Sequence, residues 1–203
     1  KKCTVSVDRS LVNDITSFCL LFATDDGGAE CHYINILPKK AVENATKQLK
    51  NTYMKAIEKG HLQLVEGAMI RNSYLIQLMI EINEKYDVEM FGYDPYKMKE
   101  LAMDAEEKGI PMVSVSQGVG NMSEPTKKLE MLVKDGLFKY NDDLFEFACT
   151  NAILGATKMG NVCVYRDNVQ TEKIDPLIAT VIALSCATLQ KIEVNIYESY
   201  GLA

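Results

Sequence analysis

Long apolar runs are missing from this 203-residue chain, and that absence sets the first limit. A membrane-spanning helix needs about 20 consecutive apolar residues. The longest run here, residues 176–187, is interrupted by Thr180 and Ser185 and suits a buried helix instead. Histidine is scarce. His32 and His61 are the only two, which argues against a His-rich zinc site and leaves no legible Ser-His-Asp arrangement. No C-x-x-C pair joins the six cysteines at positions 3, 19, 31, 149, 163 and 186. Several lie in apolar runs, so buried free thiols in a reducing compartment are expected. A basic excess is lacking too: 22 Lys and Arg stand against 28 Asp and Glu, for a net charge of −6. That balance argues against an ordinary basic nucleic-acid footprint, although carboxylates that hold divalent cations also inflate an acidic total. Signal peptide, internal repeat and flexible linker are all absent from the pattern.

What is present is an ordinary globular balance, 47% hydrophobic and 25% charged, long enough to bury a substantial core. One domain over residues 1–203 is expected. The chain opens Lys1-Lys2, one residue before a strand, as expected of a domain excised from a longer protein.

Cys3-Thr4-Val5-Ser6-Val7-Asp8 reads as a strand running into an acid, followed by a polar bend. Residues 16–23 and 30–37 form a hairpin about Asp25-Asp26-Gly27-Gly28, whose glycines suit the positive φ of a tight turn. Helices are expected over 41–59, 73–86, from Pro95 to about 108, over 125–134, from Asp142 or Asp143 to about 158, and from Asp175 to about 190. Strands are expected at 61–65, 88–94, 110–116 and 161–166. Alternating Ile192, Val194 and Ile196 suggest an edge strand in the tail. Hairpin strands followed by helix-strand alternation imply a mixed α/β sheet, with the strands ending at Asp94 and Ser116 beside the first.

Two glycine patterns invite a phosphate-loop reading. Gly155-Ala156-Thr157-Lys158-Met159-Gly160 continues Asn161-Val162 where a P-loop needs Lys and Ser or Thr, so nothing would reach the β- and γ-phosphates. Gly118-Val119-Gly120-Asn121-Met122-Ser123 follows a strand and approaches G-x-G-x-x-G, but Ser replaces its third glycine. A non-catalytic nucleotide-binding module using Gly118 and Gly120 is the alternative it leaves open.

The carboxylates carry more. Sheets of this kind bind ligands beyond the carboxyl ends of their strands, where Asp8 and Asp94 fall; Asp175 opens a helix that must pack on the sheet. Hard divalent cations take oxygen ligands and leave positions open for phosphate oxygens. Two such ions can clamp the attacking and leaving oxygens of a phosphoryl displacement. Asp94-Pro95 and Asp175-Pro176 also match an N-cap followed by Pro at N1, and Asp14 suits a bend. On chemistry alone both readings stand.

The order of the motifs resembles a known family. Val7-Asp8-Arg9-Ser10 precedes Asp14-Ile15-Thr16, and Glu66-Gly67 precedes a helix. Phe91-Gly92-Tyr93-Asp94-Pro95-Tyr96 follows, then Gln117-Gly118 with Asn121-Met122-Ser123-Glu124-Pro125. Thr150-Asn151-Ala152 and Lys173-Ile174-Asp175-Pro176 complete the series. Together they resemble the C-terminal nuclease domain of the large terminase subunit of tailed phages. The resemblance implies a ribonuclease H-like mixed sheet with helices on both faces and the first strand central. It implies an endonuclease that cuts double-stranded viral DNA during packaging, with two magnesium or manganese ions. Asp8, Asp94 and Asp175 would be the catalytic metal ligands and Asp14 an auxiliary one. Arg9, Lys97, Arg166 and Lys173 are candidate contacts to the DNA backbone. An N-terminal ATPase domain missing from this chain, the small terminase subunit and the portal are the implied partners; host cytoplasm is the implied location, without membrane. A junction resolvase or integrase core is the alternative within the same fold.

Overall fold

A computed structural model describes residues 1–10 and 14–199, with side chains placed through residue 188. Its centre is β1 (Lys2–Asp8), antiparallel to β2 (Thr16–Ala23) and parallel to β5 (Asp87–Tyr93). Outward from β2 come β3 (Ala29–Pro38) and β4 (Gln63–Val65); outward from β5 comes β6 (Met112–Ser114). The sheet order is β4-β3-β2-β1-β5-β6, and β7 (Phe138–Tyr140) pairs with the start of β3. The strand before Ser116 lies beside β5 and not beside β1, because β2 already holds β1's other edge.

Strand β2 is buried on both faces, which its unbroken apolar sequence requires. Phe18, Leu20 and Phe22 join Val5, Val7 and Phe91 on one side. There they meet α3 (Asn72–Lys85) through Leu75, Met79 and Ile82, and α4 (Pro95–Glu106) through Met98, Leu101 and Ala102. Cys19 and Leu21 face the other way, toward α5 (Val119–Lys134), α6 (Asp143–Asn151) and α7 (Asp175–Ser199). The short helices α1 (Lys39–Asn44) and α2 (Lys47–Glu58) close a third cluster around Tyr53, Leu37 and Ile15.

Helix α7 is the element that fixes the site. Ile178, Val181, Ile182 and Cys186 are all buried, each large side chain contributing about 1.5–3 kcal/mol by leaving water. Backbone and sheet approach closely. Ser6 Oγ donates to the Ala179 carbonyl at 2.5 Å, and Gly92 lies where any Cβ would stand 2.7 Å from Cys186 Sγ. No helix among the described residues is long and apolar enough to cross a membrane.

Several expectations are corrected. The helix expected over 41–59 is two, broken at Ala45 and Thr46, because Thr46 Oγ1 caps α2 by accepting from Leu49 N at 3.3 Å. Helix α5 begins at Val119 and carries Pro125 inside it, not at its start. The helix expected to reach 158 ends at Asn151; a hairpin of β8 (Ile153–Ala156) and β9 (Val162–Tyr165) follows. The supposed P-loop is the turn of that hairpin. The tail expected as an edge strand continues α7 in helical backbone to Ser199. All six cysteines are free; Cys3, Cys19, Cys31 and Cys186 are buried, whereas Cys149 is exposed and Cys163 half-buried.

A buried polar knot pins α6 to the sheet. Ser17 Oγ donates to Asn35 Oδ1 at 2.7 Å, and Asn35 Nδ2 donates to Asp142 Oδ2 at 3.0 Å. Asp142 Oδ1 accepts from Phe145 N at 2.8 Å as the N-cap of α6. Asp142→Ala is expected to cost about 1–3 kcal/mol, since it removes a cap and a partner of a buried amide. Urea denaturation at neutral pH measures this.

Candidate functional site

Parallel pairing decides where the acids fall. Val7 is the register partner of Tyr93, so the next residues, Asp8 and Asp94, leave the sheet at the same carboxyl edge. Asp8 is buried as the last residue of β1. Asp94 caps α4, its Oδ1 accepting from Tyr96 N at 3.1 Å with Pro95 at the first helical position. Asp175 is buried as the first residue of α7. Asp14, just before β2, accepts from Ile15 N at 3.0 Å.

Three cations are set among these acids. Lys97, in the first turn of α4, places its ammonium 3.4 Å from Asp8 Oδ1. Arg166 Nη2 reaches Asp14 at 3.1 Å, while Nη1 lies 3.9 Å from Asp175 and donates to the Glu172 carbonyl at 2.9 Å. Lys173 pairs with Asp14 at 3.2 Å and donates to the Val169 carbonyl at 2.9 Å. Gln117 Nε2 donates to Asp8 Oδ1 at 3.4 Å. A cavity of about 410 Å³ opens beside Asp14 and Lys173, lined also by Leu49, Tyr53 and Val169.

Electrostatics bind the acids into one system. Burial pushes Asp8 above the usual carboxylate range; Lys97 and Gln117 oppose the shift and Asp14 adds to it. Asp175 is held well above that range, first by burial and then by repulsion from Asp14 and Asp8, with Arg166 opposing. Tyr53 is raised by burial and then by Asp14 and Asp175. Burial works against the charge on Lys97, yet Asp8, Asp175 and Asp94 together raise its pKa.

Asp8, Asp14 and Asp175 thus share a field, and Asp94 joins it through Lys97. The acids do not close into one coordination shell: among the described residues no three acidic, His or Cys side chains gather closely enough to hold an ion. Donor chemistry does suit a hard cation, since all four are carboxylates. Asp175 Oδ2 is buried with no hydrogen-bond partner, an unmet acceptor of the kind a cation satisfies.

The expected backbone contacts are placed unequally. Lys173 is buried at 4% exposure, with its ammonium on Asp14 and the Val169 carbonyl. Arg9 donates to Asn72 Oδ1 at 2.6 Å and reaches the Lys97 carbonyl at 3.5 Å, tying β1 to the starts of α3 and α4. Tyr53 and Gln117 were not picked as site residues. Tyr53 sits in helical register with Leu49 and reads as plain core, whereas Gln117 stood in the motif series without a role.

Comparisons with known proteins give the family and the fold. A profile described as terminase large subunit, endonuclease domain, matches residues 1–191. Protein YmfN of Escherichia coli (strain K12) is 26% identical over 214 residues, covering 98% of this chain and 47% of that protein. The terminase large subunit of Enterobacteria phage HK97 is 24% identical over 190 residues, covering 92% and 38%. The chain therefore spans less than half the length of these curated relatives. Among solved structures, the HK97 large terminase superposes with a TM-score of 0.81 at 23% identity, over 92% of this chain and 39% of that one. The large terminase nuclease of thermophilic phage G20c gives 0.61 at 14% identity, over 90% and 81%; a further structure of it with bound magnesium gives 0.60. The fold is a ribonuclease H-like mixed sheet with helices on both faces. By the match over residues 1–191, the chain belongs to the terminase large subunit endonuclease domain family.

Proposed function

We propose that this chain is one metal-dependent endonuclease unit that cuts double-stranded viral DNA during genome packaging. The observation that carries the reading is the set of four carboxylates at the carboxyl edge of β1 and β5, with a buried Asp175 oxygen that accepts no hydrogen bond. That the related G20c nuclease was solved with bound magnesium, and in another structure with bound cobalt, supports divalent ions as the cofactor. Asp8, Asp94 and Asp175 would hold them, with Asp14 auxiliary. Two magnesium or manganese ions, when bound, supply Lewis-acid stabilisation of the phosphodiester and activation of the attacking water.

The chain's own residues do the rest. Arg166 and Lys173 pair with Asp14 and hold it in place beside Asp175. Burial of Asp8 and Asp175 keeps bulk water from competing for their oxygens. Lys97 and Arg166 are partly exposed at the rim and can neutralise phosphate charge; Arg9 steadies the strand end behind them. In a full-length protein the partners would be an ATPase domain, the small terminase subunit and the portal, in the host cytoplasm.

Supercoiled plasmid nicking tests the reading. Conversion to open circles is expected with magnesium or manganese and not with chelator. Preference for four-way junctions over linear duplex would move the assignment to a resolvase. Saturable dinucleotide binding without cleavage would move it to a nucleotide-binding module at Gly118 and Gly120. With its net charge of −6, the isolated chain is expected to bind random duplex only at micromolar or weaker affinity at physiological salt. Nanomolar binding in a mobility-shift titration would contradict that.

A further inference from the structure

The three cations around the acids are not held alike. Arg166 and Lys173 each have a second anchor on a backbone carbonyl of their own loop, at 2.9 Å in both cases. The ammonium of Lys97 has a single hydrogen bond among the described residues, to Asp8 Oδ1 at 3.4 Å. That is long for a charge-assisted bond, which normally spans about 2.7–2.9 Å. Its side chain keeps 32% exposure while that of Asp8 keeps 5%, so the lysine has a path to solvent and the acid does not.

Its helix gives Lys97 no reason to be there. It stands in the first turn of α4, after Asp94 at the cap and Pro95 at the first position, where the helix dipole disfavours a positive charge. What holds it is Asp8 on β1, with the charges of Asp175 on α7 and Asp94 at the cap of α4 adding a longer-range pull. The backbone at Lys97 is fixed separately by the Arg9 contact to its carbonyl. The side chain can therefore move while its Cα stays.

We propose that the Lys97 ammonium is a tethered counter-ion standing at Asp8 where a divalent cation would bind, and that metal entry displaces it outward. This rests on the metal-dependent reading given above. The displacement couples two events, since the cation released from Asp8 becomes available to a phosphate only once the metal has taken its place.

Calorimetric titration of the whole chain with manganese alone tests this. Lys97→Met is expected to bind manganese roughly five- to a thousandfold more tightly than wild type, the range one charge pair near 4 Å produces between the dielectric of water and about 20. Equal or weaker binding by the variant, with wild type still binding, overturns the displacement and leaves the metal site standing. Absence of manganese binding in both proteins overturns the displacement and the metal-dependent reading together. Should Lys97→Met fail to fold, Lys97→Gln and wild type decide the matter. In wild type, acetylation of Lys97 by an amine reagent, followed by mass spectrometry, should accelerate several-fold on adding manganese. A rate indifferent to manganese overturns the proposal.

Discussion

Asp175→Asn is expected to abolish metal-dependent nicking and, in the same preparation, to raise the stability of the metal-free chain. The two effects share a cause. Asp175 is buried, faces Asp14 and Asp8, and leaves one oxygen unbonded, so its charge is unfavourable until a cation meets it. Loss of a direct ligand should lower cleavage at least about a hundredfold, since even an outer-shell partner costs 10- to 100-fold. Removing the buried charge should stabilise by about 1–3 kcal/mol, a rise of roughly 2–12 °C in Tm for a chain of this size.

The pH dependence has a definite sign. An acid whose pKa is higher in the folded state than the unfolded value of about 3.9 contributes stability below that value. The contribution is lost as pH rises through the folded pKa. The advantage of Asp175→Asn should therefore be small near pH 4 and grow toward pH 8, in thermal melts with chelator present. Cleavage equal to wild type would remove Asp175 from the site; lower stability at pH 8 would refute the electrostatic account. Asp8→Asn should lose cleavage as well.

Gly92→Ala should be the most damaging single methyl in the sheet. Gly92, on β5, pairs with Ser6 of β1, directly beneath α7. The added Cβ would meet Cys186 Sγ at 2.7 Å and Ile182 Cγ2 at 2.9 Å, both buried and unable to retreat. Overpacking of this kind costs about 1–3 kcal/mol, and lifting α7 shifts Asp175 at its start. Urea denaturation should show the loss, and Cys186→Ala added to Gly92→Ala should return part of it, as expected for directly coupled neighbours. Additive losses would mean that the helix and strand do not meet as described.

Strands β1, β2, β3 and β5 were legible because they are long and rich in apolar residues, whereas the three-residue β7 was not among the expected strands. Residues 16–23 match β2 to the residue. Elsewhere local signals competed. Ile153 and Leu154 extend the apolar spacing of α6, so the hairpin after Ala152 reads as more helix, although Gly155 and Gly160 flank its turn. Thr46 sits inside a helical apolar pattern, and only its cap bond to Leu49 shows the break. Pro125 looks like a helix start, yet it is buried inside α5, where packing outweighs the lost backbone bond. The acids stood out one by one, but the cations among them did not. Nothing in sequence spacing says that Arg166 reaches back 152 positions to Asp14, or that Lys173 turns inward.

Strand β1 has both edges hydrogen-bonded, to β2 on one side and β5 on the other. Its amides should exchange with deuterium only when the whole sheet opens, and the position of Asp8 is as durable as the fold itself. Arg166 and Lys173 stand between β9 and α7, outside any ladder. A brief opening of that connection would strip Asp14 of both its counter-ions and leave Asp8 untouched. The two sides of the acid cluster therefore keep different clocks, one set by global unfolding and the other by a local excursion.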